Sequence, residues 1–296
     1  MSASHASWSS AVQGFDPASV QQPLCRWLLA ETNEAIIAAT RALEEYRFDE
    51  YAAACYHFTW GSFCDWFVEL SKPVLMGEDA ALAAELRATA AYVLGNILRL
   101  LHPAIPFATE ALWDGMGFGA PRSLIAAAWP QPVKLGDVGG ARAEIAWVIR
   151  LISAVRELRG EMNVPPSVLT PVFLRDASPV TLARAQTYSD ALRRLARVES
   201  VGEAVGEPGP GCAQIVLDEA TLILPLAGLI DLEAERKRLT RDGDKAREEA
   251  EKAGKKLASA DFVARAKPEV VEEMRERETA FRADEVRLRA ALQRLG

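Results

Sequence analysis

The feature that most constrains this chain is a pair of heptad stripes in its last 66 residues. Leu232, Leu239, Ala246 and Ala253 recur every seven residues. Beyond an interruption around Ser259–Pro268, Met274, Phe281, Leu288 and Leu295 do the same. Two such stripes on either side of a break predict an antiparallel coiled-coil hairpin. In such a pair one index rises as the other falls, so facing indices sum to a constant. Pairing Leu232 with Leu295, Leu239 with Leu288, Ala246 with Phe281 and Ala253 with Met274 satisfies that condition and centres the turn near residue 263. At 1.5 Å per residue, helices of about 27 residues give an arm of roughly 40 Å. Alanines at 246 and 253 favour close packing within a thin hairpin over a broad seam open to other proteins.

The pattern upstream is mostly helical. Residues 1–14 are small and polar and read as a disordered or added tail. A first helix is expected from Asp16–Pro17, with Pro23 early in it and Leu24, Trp27, Leu28 and Ile36 on its apolar face, to about Tyr46. A second starts at Asp49, buries Ala52, Cys55, Phe58, Phe63, Trp66 and Leu70, and is stopped by Pro73. A third spans Asp79 to Leu101, and a short fourth spans Phe107 to Met116 before a Gly/Pro-rich loop through residue 122. Residues 130–140 (PQPVKLGDVGG) read as a linker, and a helix follows from Ala141 to Arg159. The period then changes. Thr170–Arg175 alternates like a strand, Pro179–Ala196 is helical, and Arg197–Val205 and Cys212–Leu226 read as strands broken by turns. The expected fold is thus mostly α: a bundle over 15–140, a helix plus small α/β module over 141–228, and the arm over 229–296.

The net charge of −7 argues against a surface that binds nucleic acid everywhere. The arm, residues 231–296, holds 17 Lys/Arg against 16 Asp/Glu, which leaves 17 against 25 for residues 1–230. An acidic body with a near-neutral tail confines any RNA contact to local clusters. Cys25, Cys55, Cys64 and Cys212 form no C-x-x-C pair and read as free thiols of a reducing compartment. No basic-then-apolar leader and no long charge-free apolar run occurs, so a cytoplasmic, non-membrane protein is expected.

Catalytic chemistry finds no foothold. The three histidines, His5, His57 and His102, have no metal spacing; His102, before a proline at a helix end, suits a carbonyl-capping role. No dinucleotide, phosphate-loop, nucleophile-elbow or zinc-protease signature is present. Two features stay open. Tyr56, Phe58, Trp60, Phe63, Trp66 and Phe67 read mainly as bundle core, but an exposed member could stack on an unpaired base. Arg236, Lys237, Arg238, Arg241, Lys245 and Arg247, with Lys252, Lys255 and Lys256 further along, form either a solvated face or a phosphate-binding stripe.

Several stretches together resemble the valyl-tRNA synthetase family. Phe58 to Pro73 follows its aromatic-W-x-x-F-C-D-W-[YF]-x-E-x-x-K-P run, and LHPAIPFATEALW (101–113) its L-H-P-x-x-P-F-x-T-E-x-L-W motif, with Trp129–Pro130 beyond. ELRGEMNVPPS (157–167) resembles its R-x-E-x-x-x-P-P-S-like loop. LIDLEAERKRL (229–239) and KLASADFVARAKPEVVEEMRER (256–277) resemble the start and tip of its C-terminal arm. The resemblance implies an anticodon-binding domain followed by a tRNA arm, with tRNA(Val) as partner and a monomeric state. It also implies that Val68 and Glu69 contact the anticodon, and that Lys252 and Arg277, one per strand of the arm, contact the tRNA elbow. The family's H-I-G-H and K-M-S-K-S signatures, its editing domain and the basic, aromatic helix that opens its anticodon domain have no counterpart here. No cofactor is therefore expected in this chain, ATP and Mg²⁺ belonging to the complete enzyme. A stand-alone tRNA-binding paralogue and a coiled-coil adaptor are the rival readings. Valine-dependent pyrophosphate exchange by the purified chain should stay at background; clear exchange would show that a nucleotide site had been overlooked.

Overall fold

The structure, a computed structural model, describes residues 14–118, 122–204, 206, 209 and 211–295. The expected tail over 1–14 lies almost wholly outside the described residues, as does part of the loop before residue 122. The chain divides into two compact units, 1–149 and 150–296.

In the first unit, Asp16 caps a single 3-10 turn, Pro17–Ser19, by accepting from the Ala18 amide at 2.9 Å. The first helix, α1, does not continue from it but starts at Pro23 and runs Pro23–Glu44. Proline suits the first helical position, and it holds the preceding Gln22 extended, with φ −63° and ψ 131°. Leu24, Trp27, Leu28 and Ile36 are buried as expected. Next come α2 (Phe48–Tyr56), a π-helical segment (His57–Val68) and α3 (Glu69–Leu75) in unbroken succession. Pro73 does not stop this rod; it sits inside α3, which continues only to Leu75. Helix α4 (Ala80–Leu101) is capped by Asp79, whose carboxylate accepts from the Ala81 and Leu82 amides at 3.0 Å, a contribution of ~1 kcal/mol. After α5 (Pro106–Gly115), the expected linker is laid along α1: Asn33 exchanges two hydrogen bonds with Val133, at 2.8 and 2.9 Å, and Trp129 Nε1 donates to Thr40 Oγ1 at 2.8 Å. Cys25 and Cys55 are buried in this core, and burial pushes their thiols up to about 12 and about 11.

Helix α6 (Gly139–Glu161) contains the point of division between the units. In the second unit its buried Leu151, Ile152, Val155 and Leu158 recur at helical spacing and form its apolar face. The four-stranded sheet has the order β2-β1-β4-β3, with β1 Thr170–Arg175, β2 Val198–Glu203, β3 Cys212–Leu217 and β4 Ala220–Pro225. Strands β1 and β2 are parallel, which demands a crossover. Two short helices supply it, α7 (Pro179–Thr187) and α8 (Ser189–Ala196), where the sequence pattern suggested one. Strands β3 and β4 form a hairpin across Asp218–Glu219, with Asp218 in the left-handed region at φ 53°.

The arm is α9 (Leu232–Ala258) and α11 (Pro268–Arg294), joined through the short α10 (Ala260–Arg265), in which the expected turn centre falls. Leu239, Ala246, Ala253 and Leu295 are buried, whereas Met274, Phe281 and Leu288 are half-buried. The register differs from the expected one by about a turn. A carbon added at Gly243 would lie 3.8 Å from Leu288 Cβ, and Arg236 Nη2 donates to the Leu295 carbonyl at 3.1 Å. Gly243, not Leu239, therefore faces Leu288. An antiparallel seam interleaves two stripes from each helix, and the second stripe of α9, with Gly243 and buried Ala250, is too small in side chain to stand out in the sequence. At 3.8 Å an added methyl makes ordinary contact. Gly243→Ala should consequently raise arm stability by ~0.5–1 kcal/mol, the cost of glycine inside a helix. Gly254→Ala, where the added carbon would lie 3.0 Å from Glu278 Oε1, should gain less. Helical circular dichroism followed through urea unfolding measures both; a destabilising Gly243→Ala would refute this register.

Candidate nucleic-acid interface

The aromatic run of the π segment divides by burial. Phe58, Phe63 and Phe67 are buried, with Phe63 and Phe67 stacked at 5.8 Å between centroids, while Tyr56 is 61% and Trp60 56% exposed. In an α-helix Phe58 and Phe63 would point about 140° apart, at 100° per residue. The wider π-helix, bonded from i to i+5, brings residues four and five apart onto one side. Phe67 is thus buried beside Phe63, while Trp66, expected in the core, is half-buried; Ala52 of α2, also expected there, is exposed. Val68 and Glu69, the residues implied to meet the anticodon, sit where the π segment gives way to α3. Both are half-buried; Glu69 is paired with Lys72, and the Val68 carbonyl accepts from Ser71 Oγ at 2.9 Å.

On the arm, Lys252 and Arg277 come from opposite helices and meet at one carboxylate. Lys252 Nζ lies 2.7 Å from Glu249 Oε1, and Arg277 Nη2 lies 3.9 Å from Glu249 Oε2. The Arg277 guanidinium also lies 5.6 Å from the centroid of the Phe281 ring, within cation–π range. The hydrogen bond and charge of Lys252, then the charge of Arg277, hold the Glu249 carboxyl below its ordinary range, and Glu249 in turn raises Lys252. Sequence reading missed Glu249; the signal available was its place three residues before Lys252 on a helix that pairs with the one bearing Arg277. The basic run resolves into a mixture. Arg238 is held by Glu235 and Asp242, Arg241 by Asp242, and Arg247 by Asp244 and Glu251. Lys237, Lys255 and Lys256 are exposed, with no ion pair among the described residues.

Other motif residues are structural latches. His102 Nδ1 faces Thr109 Oγ1 at 2.8 Å in place of the expected helix-end carbonyl. Glu110 accepts from Ser123 Oγ and from the Leu124 and Ile125 amides, at 2.7, 2.9 and 3.3 Å. Buried Arg159 donates to Thr170 Oγ1, Pro165 O and Val168 O at 2.9, 2.9 and 2.8 Å, pinning the NVPPS loop. Five separate arrangements (the aromatic π segment, three latches and a hairpin arm) thus accompany the motifs of an RNA-contacting synthetase module.

Comparison with known proteins agrees. Residues 25–174 match the anticodon-binding domain of tRNA ligase, and residues 231–296 match the valyl tRNA synthetase tRNA binding arm. The chain belongs to the family of tRNA ligases that carry this anticodon-binding domain. It is 59% identical to a valine–tRNA ligase of Granulibacter bethesdensis over 284 residues, covering 95% of this chain and 32% of that protein. It is 54% identical to that of Gluconobacter oxydans over 284 residues, covering 96% of this chain and 32% of that protein. For the Caulobacter vibrioides enzyme the identity is 48% over 288 residues, covering 96% of this chain and 32% of that protein. The chain therefore spans about a third of the length of these relatives.

Because Glu249's folded value is depressed, its pairing stabilises the arm at pH above the ordinary glutamate value and is lost as pH falls through the folded one. A carbon-detected titration should place Glu249 below the ordinary glutamate value of 4.5, and Lys252→Ala should move it back up. An unmoved midpoint would dissolve the triad.

Proposed function

We propose that this chain is the tRNA-contacting portion of a valine–tRNA ligase. It grips the anticodon stem-loop of tRNA(Val) near Val68 and Glu69 and the elbow through Lys252 and Arg277. The ATP- and Mg²⁺-dependent joining of valine belongs, in this reading, to domains outside the sequence, and the chain acts as a cytoplasmic monomer. One observation carries the elbow assignment: two cations from different helices are gathered towards the far end of a thin arm, where Glu249 holds them side by side. A phosphate could take the place of that carboxylate without moving either helix. Val68 and Glu69 follow from the family motif and lie on the same continuous rod as exposed Tyr56 and Trp60. A coiled-coil adaptor is disfavoured, because the small residues of α9 already bury their seam within the hairpin.

With few phosphate contacts, log affinity for tRNA should fall against log salt with a slope of roughly −2 to −4, at about −0.9 per contact. Neutralising both charges, Lys252→Gln with Arg277→Gln, should leave the melting temperature almost unchanged, since exposed ion pairs contribute about 0–1 kcal/mol. The same variant should lose most of its tRNA affinity. Parent-like binding by this variant would remove the elbow contact and hand the arm to a protein partner.

A further inference from the structure

The last turn of α8 gathers a second set of cations. Arg193, Arg194 and the following Arg197 are all exposed, and Arg156 of α6 reaches the same corner, its Nε donating to the Leu195 carbonyl at 2.7 Å. Arg159 lies close beneath. Burial first, and then the Arg197 charge, hold its guanidinium below the ordinary arginine value. A helix C-terminus favours a cation, but Arg156 already serves a terminal carbonyl there. Arg193 lies in the last helical turn and Arg197 closes it, so both charges stand at the same helix end. Arg197 moreover stands at φ 57° and ψ 35°, the left-handed closing position where glycine is the unstrained choice. The side chains of Arg193 and Arg197 make no hydrogen bond or ion pair among the described residues. A left-handed arginine thus closes the helix with no internal partner to compensate. In residues 1–230, where 25 Asp/Glu outnumber 17 Lys/Arg, these two guanidinium groups stand out.

We propose that the α8 corner is a further RNA contact, binding backbone phosphates through Arg193 and Arg197 independently of the arm. Guanidinium groups suit phosphate because their planar forks donate two parallel hydrogen bonds to its oxygens. An RNA is the favoured polyanion because the same compact unit carries the tRNA-binding arm. The inference rests on the tRNA-binding reading above.

The test compares the full chain with Arg193→Glu/Arg197→Glu and with Arg197→Gly, titrating each with tRNA from low to moderate salt. Charge reversal should weaken binding at about 100 mM salt by roughly tenfold or more, and flatten the salt slope by about 1.8, two contacts' worth. Arg197→Gly relieves the left-handed strain, so its melting temperature should hold or rise while its slope flattens by about 0.9. Stability and affinity moving in opposite directions is a result that a purely structural arginine does not give. If the parent binds tRNA and both variants keep its affinity and slope, the corner is not an RNA contact. If polyglutamate binds as tightly as tRNA and is lost with the same variants, the partner is an acidic peptide and the proposal falls. A parent that binds no tRNA at low salt overturns the underlying reading, and this inference with it.

Discussion

The arm depends on how its root is held, and one residue at the end of α6 does much of that work. Glu161 pairs through its carboxylate with Arg294 of α11, and through its backbone carbonyl with Arg238 Nη2 of α9 at 2.9 Å. Both arm helices are thereby tied to the helix whose Arg159 also bonds Thr170 of β1. The Glu161 side chain is only 11% exposed, so its charge has given up most of its water, and removing Arg294 would strand it. A two-helix hairpin has little core of its own. Without a fixed root its far end would sweep through many positions, and ordering it on RNA would cost binding energy. Glu249 repeats the device near the other end, gathering Lys252 and Arg277 from the two helices. The difference is exposure. The root pair is sheltered and acts in structure, while Lys252 and Arg277 are 64% and 57% exposed and remain available to a ligand.

Much of this was legible in the sequence, because the relevant signals are local and periodic. The hairpin, strand β1 from Thr170 to Arg175, and the Asp79-capped α4 all follow from spacing and capping chemistry. The errors share a cause as well. The arm register slipped by a turn because only the stripe with large side chains was visible, and Gly243 and Ala250 carry no hydrophobic signal. The second helix was read with a 3.6-residue period, so Trp66 was assigned to the core in place of Phe67. Nothing in His57–Val68 announces a π-helix; its period appears only once the buried positions are known. Pro73 was taken as a stop, yet the helix runs two residues past it, to Leu75. Glu110 and Arg159 belong to motifs but not to any contact surface. Their roles are latching ones, which a motif match alone does not reveal.

The electrostatics of the body follow from the same economy of surface. An acidic protein repels RNA at long range, so attraction must come from local places where cations outnumber the carboxylates that hold them. Along α9 most arginines fail that criterion, each being held by an acid within one helical turn, as Arg238 is by Glu235 and Asp242. Such pairs stabilise an exposed helix slightly and cancel its field. Lys237, Lys255 and Lys256 meet the criterion. Counting basic residues along the arm therefore overstates its pull, and a salt slope reports the smaller number of free ones.

On the proposed reading, few free cations at each place imply that no single contact holds a tRNA tightly. Val68 and Glu69 belong to the first compact unit, whereas Lys252 and Arg277 belong to the second. Within one chain, the second contact forms at the effective concentration set by the first, so modest affinities multiply when the ligand spans both. That multiplication selects for shape as much as for sequence. Two weak contacts taken together therefore discriminate among folded RNAs better than one strong basic patch, which would bind them all.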